Sequence, residues 1–145
     1  MSIVTRDAAS NFLAADSDRQ KTFIFNNDFE SGALLNASGG ELTYPIGTLL
    51  GRIAATNKLV PMASGATDGS QFPVGVLAEE VTIADTEEAN VNFAVSGDVR
   101  EGAIVLDGSD TLLTVVSLKT IGDRIKSDTM GIRLVPVTDD TFFDN

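Results

Sequence analysis

Oxygen-bearing side chains are the main candidates for chemistry in this sequence, because it contains no histidine and no cysteine. These absences exclude a thiolate nucleophile, a Ser-His-Asp triad, and zinc or haem sites built on histidine or cysteine. Two kinds of chemistry remain open to the acidic residues. Carboxylates could bind a hard cation, or a pair of them could carry out acid–base catalysis.

Two loops have the composition of ligand-binding segments. The run Asp107–Asp110 holds two carboxylates and a hydroxyl, but it lacks the ligand spacing of an EF-hand and is better interpreted as a turn between strands. The run Gly65–Ser70 resembles a phosphate cradle in glycine content, but it has no Gly-Lys-Ser/Thr ending and is not a P-loop. We therefore expect no bound metal and no cofactor.

Adjacent acidic residues occur at Glu79-Glu80, Glu87-Glu88 and Asp139-Asp140. Neighbours on a strand point to opposite faces, so local spacing makes none of these a catalytic pair. An acid–base site would need carboxylates from distant segments to converge in a pocket. We expect no enzyme activity, and a small β-barrel hydrolase that uses such carboxylates is the alternative.

The negative charge is concentrated in the middle of the chain. Ten basic and 21 acidic residues give a net charge of −11, of which residues 41–116 carry −8. This charge is interpreted as a solvated face, or as a surface that faces away from packaged nucleic acid. Nucleic acid and anionic membranes are not expected partners, because binding to them depends on lysine and arginine.

The ends of the chain carry most of the aromatic residues. Four of the nine lie in the first 29 residues, and Phe142 and Phe143 lie near the other end. Aromatic residues at both ends suggest that these ends dock on a partner, and packing on the chain's own core is the alternative. We assign residues 1–30 to an arm and 31–145 to the domain. The candidate contact residues of the arm are Phe12, Leu13, Phe23, Ile24, Phe25 and Phe29.

The length of 145 residues fits one domain with an arm. Within the arm, residues 5–15 predict a marginal helix, and Thr22–Phe25 predicts a short β segment. Met1–Ser10 lacks the apolar core of a signal peptide, and no apolar run approaches the roughly 20 residues of a membrane span. We therefore expect synthesis in the cytoplasm.

The domain alternates short apolar runs with turn signals, which predicts a sheet-rich fold. The predicted strands include Gly47–Ala55, Leu59–Met62, Pro73–Ala78, Val91–Val95 and Gly131–Val137. One helix begins at Thr120, which can cap it, and ends before Gly131. Pro136 places the end of the last strand at a sheet edge. The prediction is a mainly β fold with one short C-terminal helix (α+β), as a sandwich, a barrel or a mixed β architecture.

Several runs in this domain resemble the lambda-type phage head decoration proteins. They are GTLLGRI at 47–53, KLVP at 58–61, ATDGSQ at 66–71, VGVLAE at 74–79 and VSGDV at 95–99. The resemblance covers about residues 40–137 and rests on the order of the motifs rather than on any single one. It does not extend with equal strength to the first 30 residues or to the tail after residue 138.

The resemblance implies a compact β-barrel or β-tulip-like domain with an extended N-terminal arm. It further implies homotrimers on the outer surface of the expanded capsid, at local three-fold positions. There they would bind the major capsid protein of the same phage and brace the shell against genome pressure, while the arm orders on the shell. The expected location is thus the virion. A trimeric tail- or fibre-associated β-domain, which would bind through its loops, is the structural alternative.

Overall fold

The computed structural model describes residues 21–136, which begin with helical backbone at Lys21 and Thr22. The strands that follow are β1 (Phe23–Leu35), β2 (Leu42–Tyr44), β3 (Leu49–Arg52), β4 (Leu59–Pro61), β5 (Pro73–Leu77), β6 (Val81–Ile83), β7 (Glu88–Arg100), β8 (Val115–Val116), β9 (Lys119–Thr120) and β10 (Ile132–Val135). A 3-10 turn (Glu101–Ala103) follows β7, and the α-helix α1 (Ile121–Asp128) lies between β9 and β10. The predicted mainly β fold with a short C-terminal helix is confirmed.

Five strands close into a barrel in the order β1-β4-β3-β5-β7, with β7 returning to β1. The β1–β4 pair is parallel and meets at Leu34 and Leu59, whereas the other four pairs are antiparallel. A turn at residues 56–58 joins β3 to β4, and Asn57 in it has a φ of 63°. Asparagine is among the residues that best tolerate this left-handed conformation.

Because successive side chains of a strand point to opposite faces, the barrel wall contributes apolar residues to two separate cores. Leu50 of β3 and Leu77 of β5 point into the barrel, whereas their neighbours Leu49 and Val76 point to its outside. The barrel interior is also filled by Phe93. The outer cluster lies beneath α1 and the last strand, with Val99, Val116, Ile121, Ile125 and Ile132 among its members. The barrel wall is therefore buried on both faces wherever the C-terminal segment covers it.

Helix α1 starts where the sequence predicts it. The hydroxyl of Thr120 accepts a hydrogen bond from the backbone N–H of Asp123 at 3.2 Å, which satisfies one of the free donors at the helix start. The helix ends at Asp128, two residues earlier than expected from Gly131. Helix ends commonly shift by a residue or two, and here Met130 donates its N–H to Val95 of β7 instead.

Strand β10 extends the sheet beyond the barrel. It pairs in parallel with β7 from Ile132 opposite Gly97 to Val135 opposite Arg100, and Pro136 follows at the edge as predicted. The guanidinium of Arg133 donates to both carboxylate oxygens of Asp98, at 3.0 and 2.9 Å. This hydrogen bond and the positive charge lower the pKa of Asp98 below its ordinary value.

The barrel begins earlier in the chain than the sequence indicates. Residues 23–30, which we assigned to the arm, form the first part of β1 and pair with β7. Residues 1–20 and 137–145 lie outside the described range. Within residues 21–136, no helix is long and apolar enough to cross a membrane.

The close packing of β3 on the loop after β4 gives a stability prediction. A Cβ on Gly51 would lie 2.3 Å from the carbonyl oxygen of Ser70, whereas a Cβ on Gly65 would meet nothing within 4 Å. We expect Gly51→Ala to lower the free energy of unfolding by about 1–3 kcal/mol, because backbone atoms must move. Gly65→Ala should change it by less than about 0.5 kcal/mol. Urea denaturation measures both, and equal values for the two variants would contradict the packing.

The Asp98–Arg133 pair gives a pH prediction. Because the pKa of Asp98 is lowered in the folded protein, the pair stabilises the fold at pH values above the ordinary aspartate pKa of about 3.9. That contribution is lost as the pH falls through the lowered pKa and Asp98 takes up a proton. Arg133→Gln should thus be less stable than the wild type at pH 7, and the difference should shrink as the pH falls below the ordinary aspartate pKa of about 3.9. Acid titrations of the unfolding free energy measure this, and a difference that does not change with pH would contradict it.

Candidate functional site

Four apolar side chains lie along the first half of β1 and form a surface that we name the aromatic rim: Phe23, Ile24, Phe25 and Phe29. In the register with β7, Phe23 lies opposite Val99 and Phe25 lies opposite Asp98. Because Asp98 is fixed by Arg133, the strand beneath the rim is tied to β10 as well. The rim therefore rests on three hydrogen-bonded strands.

Irregular pairing turns part of the rim outward. The β1–β7 register shifts between Phe23 and Phe25, between Phe25 and Asp28, and again before Phe29. A regular strand would send Ile24 and Phe25 to opposite faces, yet they are 39% and 69% exposed. Bulges redirect side chains in this way. Two neighbouring apolar residues thus face solvent together.

Polar contacts fix the bulged backbone. Asn26 has a φ of 59° and faces Gly97, where an added Cβ would lie 2.5 Å from the Asn26 carbonyl oxygen. The side-chain amide of Asn27 donates to the carbonyl oxygens of Ser96 and Asp98, at 3.2 and 3.1 Å. These bonds replace ladder bonds that the bulge removes, so the exposed side chains stand on an ordered backbone.

Some side chains of the rim contact this chain, and others are exposed to solvent. Phe23 is half-buried against the outer core cluster, and its ring meets that of Phe29 edge to face, with centroids 5.5 Å apart. Ile24 and Phe25 remain exposed. Phe23 thus packs on the chain's own core, whereas the docking of Ile24 and Phe25 on a partner stays a prediction. Phe12 and Leu13 lie outside the described residues.

One edge of the first half of β1 has no strand beside it within residues 21–136. Strand β7 pairs with the other edge, and β1 meets β4 only at Leu34. Residues 24–28 thus present backbone groups on which an added strand could pair. Asp28 and Glu30 place negative charge on this segment, which opposes indiscriminate pairing between edges.

A cavity of about 340 Å³ lies where the described chain begins. Its lining combines apolar residues with polar and charged ones: Pro45, Ile46 and Ala103, and Lys21, Thr22 and Glu80. Arg100 at the end of β7 donates to the carbonyl oxygen of Lys21 at 2.7 Å, which fixes the direction in which the chain enters β1. Within the described part of the chain, Glu80 is the only carboxylate in its lining.

The two loops considered for ligand binding use their carboxylates for internal hydrogen bonds. Asp110 accepts from the backbone N–H and the hydroxyl of Ser64, at 2.9 and 2.6 Å, and so ties the 63–72 loop to the 107–110 turn. Asp68 accepts from the hydroxyl and the N–H of Ser70, which lowers the pKa of Asp68. Both segments are therefore structural turns in this fold.

Among residues 21–136, no aspartate or glutamate is buried, and no group of three acidic residues is arranged to hold a metal ion. The converging buried carboxylates that would support a hydrolase are thus not found in the described part of the chain.

Sequence reasoning missed a second apolar surface, on the hairpin of β8 and β9. Leu113, Val115 and Leu118 are all highly exposed there. Within the apolar run 112–116, the alternate residues Leu112 and Val116 face the outer core. The sequence does contain a signal for this exposed surface, since both faces of this short hairpin carry apolar residues. Arg124, buried beneath it, had no local signal.

Comparison with known families identifies the chain. The family model described as bacteriophage lambda head decoration protein D matches residues 26–116, from the bulged half of β1 to the end of β8. No curated protein matches the chain. The matched segment includes β3, β4, β5 and β7 in full and β1 from Asn26 onward, and it spans more than half of the sequence. The chain belongs to the bacteriophage lambda head decoration protein D family.

Proposed function

We propose that this decoration protein binds the outer surface of the expanded capsid as a trimer at local three-fold positions. There it bridges neighbouring copies of the major capsid protein and stabilises the shell against the pressure of the genome. The observation that carries the proposal is the pair of exposed apolar residues, Ile24 and Phe25, on an ordered strand whose other edge is open over residues 24–28.

The rim suits strand addition by a capsid segment. Backbone groups of residues 24–28 would supply hydrogen bonds, and the side chain of Phe25 would enter an apolar pocket on the shell. Large aromatic anchors of this kind carry much of the binding free energy at protein interfaces. Because the bulge already fixes Asn26 and Asn27, little conformational entropy of the backbone is lost when the contact forms.

The charge distribution suits an outward-facing body. Residues 41–116 carry −8 of the net −11, whereas residues 1–40 carry only −2. A strongly negative body remains solvated and repels other anionic surfaces. The segment that holds the rim is closer to neutral and so meets less repulsion when it approaches the shell.

Trimerisation would compensate for the cost of ordering an arm. Fixing a backbone residue costs roughly 1–2 kcal/mol, so a single arm that orders over residues 1–20 binds weakly unless its contacts are extensive. Three copies held together convert later contacts into intramolecular ones and raise the avidity by about 10²–10⁴. We therefore expect tight binding from individually modest contacts.

The proposal predicts that Phe25→Ser weakens binding to expanded empty capsids of the cognate phage. Loss of one anchor of about 2 kcal/mol corresponds to roughly a 30-fold increase in Kd for each copy. Because Phe25 is 69% exposed, the variant should unfold at the wild-type denaturant concentration. Met130→Ser is the matched control, since Met130 is 71% exposed and lies after α1, outside the rim. Sedimentation with capsids measures both.

A deletion separates the arm from the rim. Removing residues 1–20 leaves every described strand of the barrel intact, whereas removing residues 1–30 would also take the whole bulged half of β1. We expect the shorter deletion to bind expanded capsids more weakly than the wild type does. Neither protein should bind unexpanded precursors. Failure of the full chain to bind either capsid form, together with binding to purified tails, would support the tail-associated alternative instead.

A further inference from the structure

The last described strand carries the chain toward the cavity of about 340 Å³ at the start of the described residues. Strand β10 is parallel to β7, with Val135 opposite Arg100. Parallel strands end at the same edge of a sheet, and β7 continues from that edge into the turn Glu101–Ala103. Ala103 is part of the cavity wall. Residues 137–145, which we name the tail, therefore follow β10 at the edge of the sheet where this cavity lies.

The tail is long enough for its aromatic residues to reach the cavity. Phe142 follows Val135 by seven residues, which span up to about 23–25 Å when extended. Ala103 follows Arg100, the partner of Val135, by three residues and so lies within about 11 Å of it. Neighbouring strands are about 5 Å apart, which places the cavity wall within about 16 Å of β10. Both Phe142 and Phe143 can thus reach the wall without any change in the described strands.

The cavity has room for an aromatic ring, and its walls are fixed in place. Gly47, which follows Ile46 of one wall, lies so close to the other wall that an added Cβ would be 2.1 Å from the Ala103 carbonyl oxygen. The carbonyl oxygen of Gly47 also accepts a hydrogen bond from the N–H of Val105 at 2.9 Å. A cavity of about 150 Å³ binds benzene, so this larger one accommodates a phenylalanine side chain against Pro45, Ile46 and Ala103.

Charge at the cavity favours the tail as its occupant over the N-terminal arm. Lys21 lines the cavity and forms no ion pair within residues 21–136, and the guanidinium of Arg100 lies beside it. The tail contains three aspartates and no basic residue, whereas residues 1–20 contain two arginines and three aspartates, a net charge of −1. Glu80 on the cavity wall repels the aspartates of the tail, so they must lie on the side of Lys21 and Arg100.

The tail holds an aromatic pair that its own sequence does not shield from water. Phe142 and Phe143 lie between Asp140 and Asp144 and are the only aromatic residues after Phe93. Segments that stay fully solvated are poor in aromatic residues, because an aromatic ring gains free energy when it leaves water for an apolar surface. Of the two interpretations of the terminal aromatic residues, packing on the chain's own domain therefore suits the tail.

We infer that the tail folds back on its own chain and that one ring of the Phe142-Phe143 pair fills this cavity. The aspartates of the tail then lie near Lys21 and Arg100. The contact is made within each copy, so it depends on neither capsid binding nor trimerisation and goes beyond the proposed function. The family model matches residues 26–116, so the comparison assigns no role to the tail. The residues at which the chain enters β1 are thereby held from a second side.

Tryptophan fluorescence tests the inference in the free protein, because the chain has no tryptophan of its own. We expect Phe142→Trp or Phe143→Trp to emit at shorter wavelength than Phe25→Trp, because Phe25 is 69% exposed. Adding Ala103→Asp, which places a charge in the cavity wall, should shift that emission to longer wavelength. Adding Met130→Asp instead should leave the emission unchanged, since Met130 is 71% exposed and precedes β10 at the other end of that strand.

Two results of this experiment would overturn the inference. One is that both tail variants emit like Phe25→Trp, or that their emission does not respond to Ala103→Asp. The other comes from Phe12→Trp in the arm. If the emission of Phe12→Trp shifts when Ala103→Asp is added, and that of the tail variants does not, the arm occupies the cavity instead of the tail.

A disulfide trap identifies the surface that the tail contacts, because the chain has no cysteine. Two cysteines form a disulfide only when their Cα atoms lie within about 7 Å. We expect Ala103→Cys with Thr141→Cys to form a disulfide within one chain under mild oxidation. Met130→Cys with Thr141→Cys is the control, since its sites are 11 residues apart rather than 38 and loop closure alone favours it.

Non-reducing gels and mass analysis of the oxidised proteins give the outcome. Faster disulfide formation within the chain by the Ala103 pair than by the Met130 pair supports the contact, because the order is opposite to that expected from loop length. Faster formation by the Met130 pair, or disulfides of the Ala103 pair that join two copies only, would overturn it.

Discussion

The antiparallel pairing of β1 with β7 is the constraint on which the rest of this structure depends. It runs from Phe23 opposite Val99 to Leu35 opposite Glu88. Without it, β1 would be joined to the sheet only through the single position where Leu34 meets Leu59. The ring would then be open, and Phe93 would lose the enclosure that buries it. Closure also gives the barrel strands a partner on both edges except over residues 24–28 of β1, which limits the free edge that favours aggregation.

The same strand serves two purposes along its length. From Phe29 to Leu35 it pairs regularly and places Leu34 in the barrel core. Before Phe29 the pairing is bulged, and the side chains of Ile24 and Phe25 are turned outward. Because β1 remains paired with β7 along its length, backbone hydrogen bonds hold this exposed part in place as they do the buried part. A surface for binding is thereby held by the same hydrogen-bond ladder that stabilises the fold.

Local signals in the sequence recover most of the barrel but only the beginning of its first strand, at residues 23–25. The runs that became β3, β4 and β5 are apolar and bounded by turn residues, and Thr120 is recognisable as a helix cap. Strand β1 contains Asn26, Asn27, Asp28 and Glu30, which interrupt the alternation of apolar and polar residues that is typical of a strand. It is a strand because β7 supplies partners from a distant part of the chain. Arg124 was missed for a similar reason, since its carbonyl partners are brought to it by the hairpin.

The distance in sequence between β1 and β7 has a consequence for synthesis. Phe23 pairs with Val99, which is added 76 residues later. At the ribosomal rate of ~5–20 residues per second, the first strand waits roughly 4–15 s before its partner exists. During that interval an apolar strand would be exposed to other nascent chains. The polar residues of β1 that obscure it in the sequence also keep it soluble until the barrel can close.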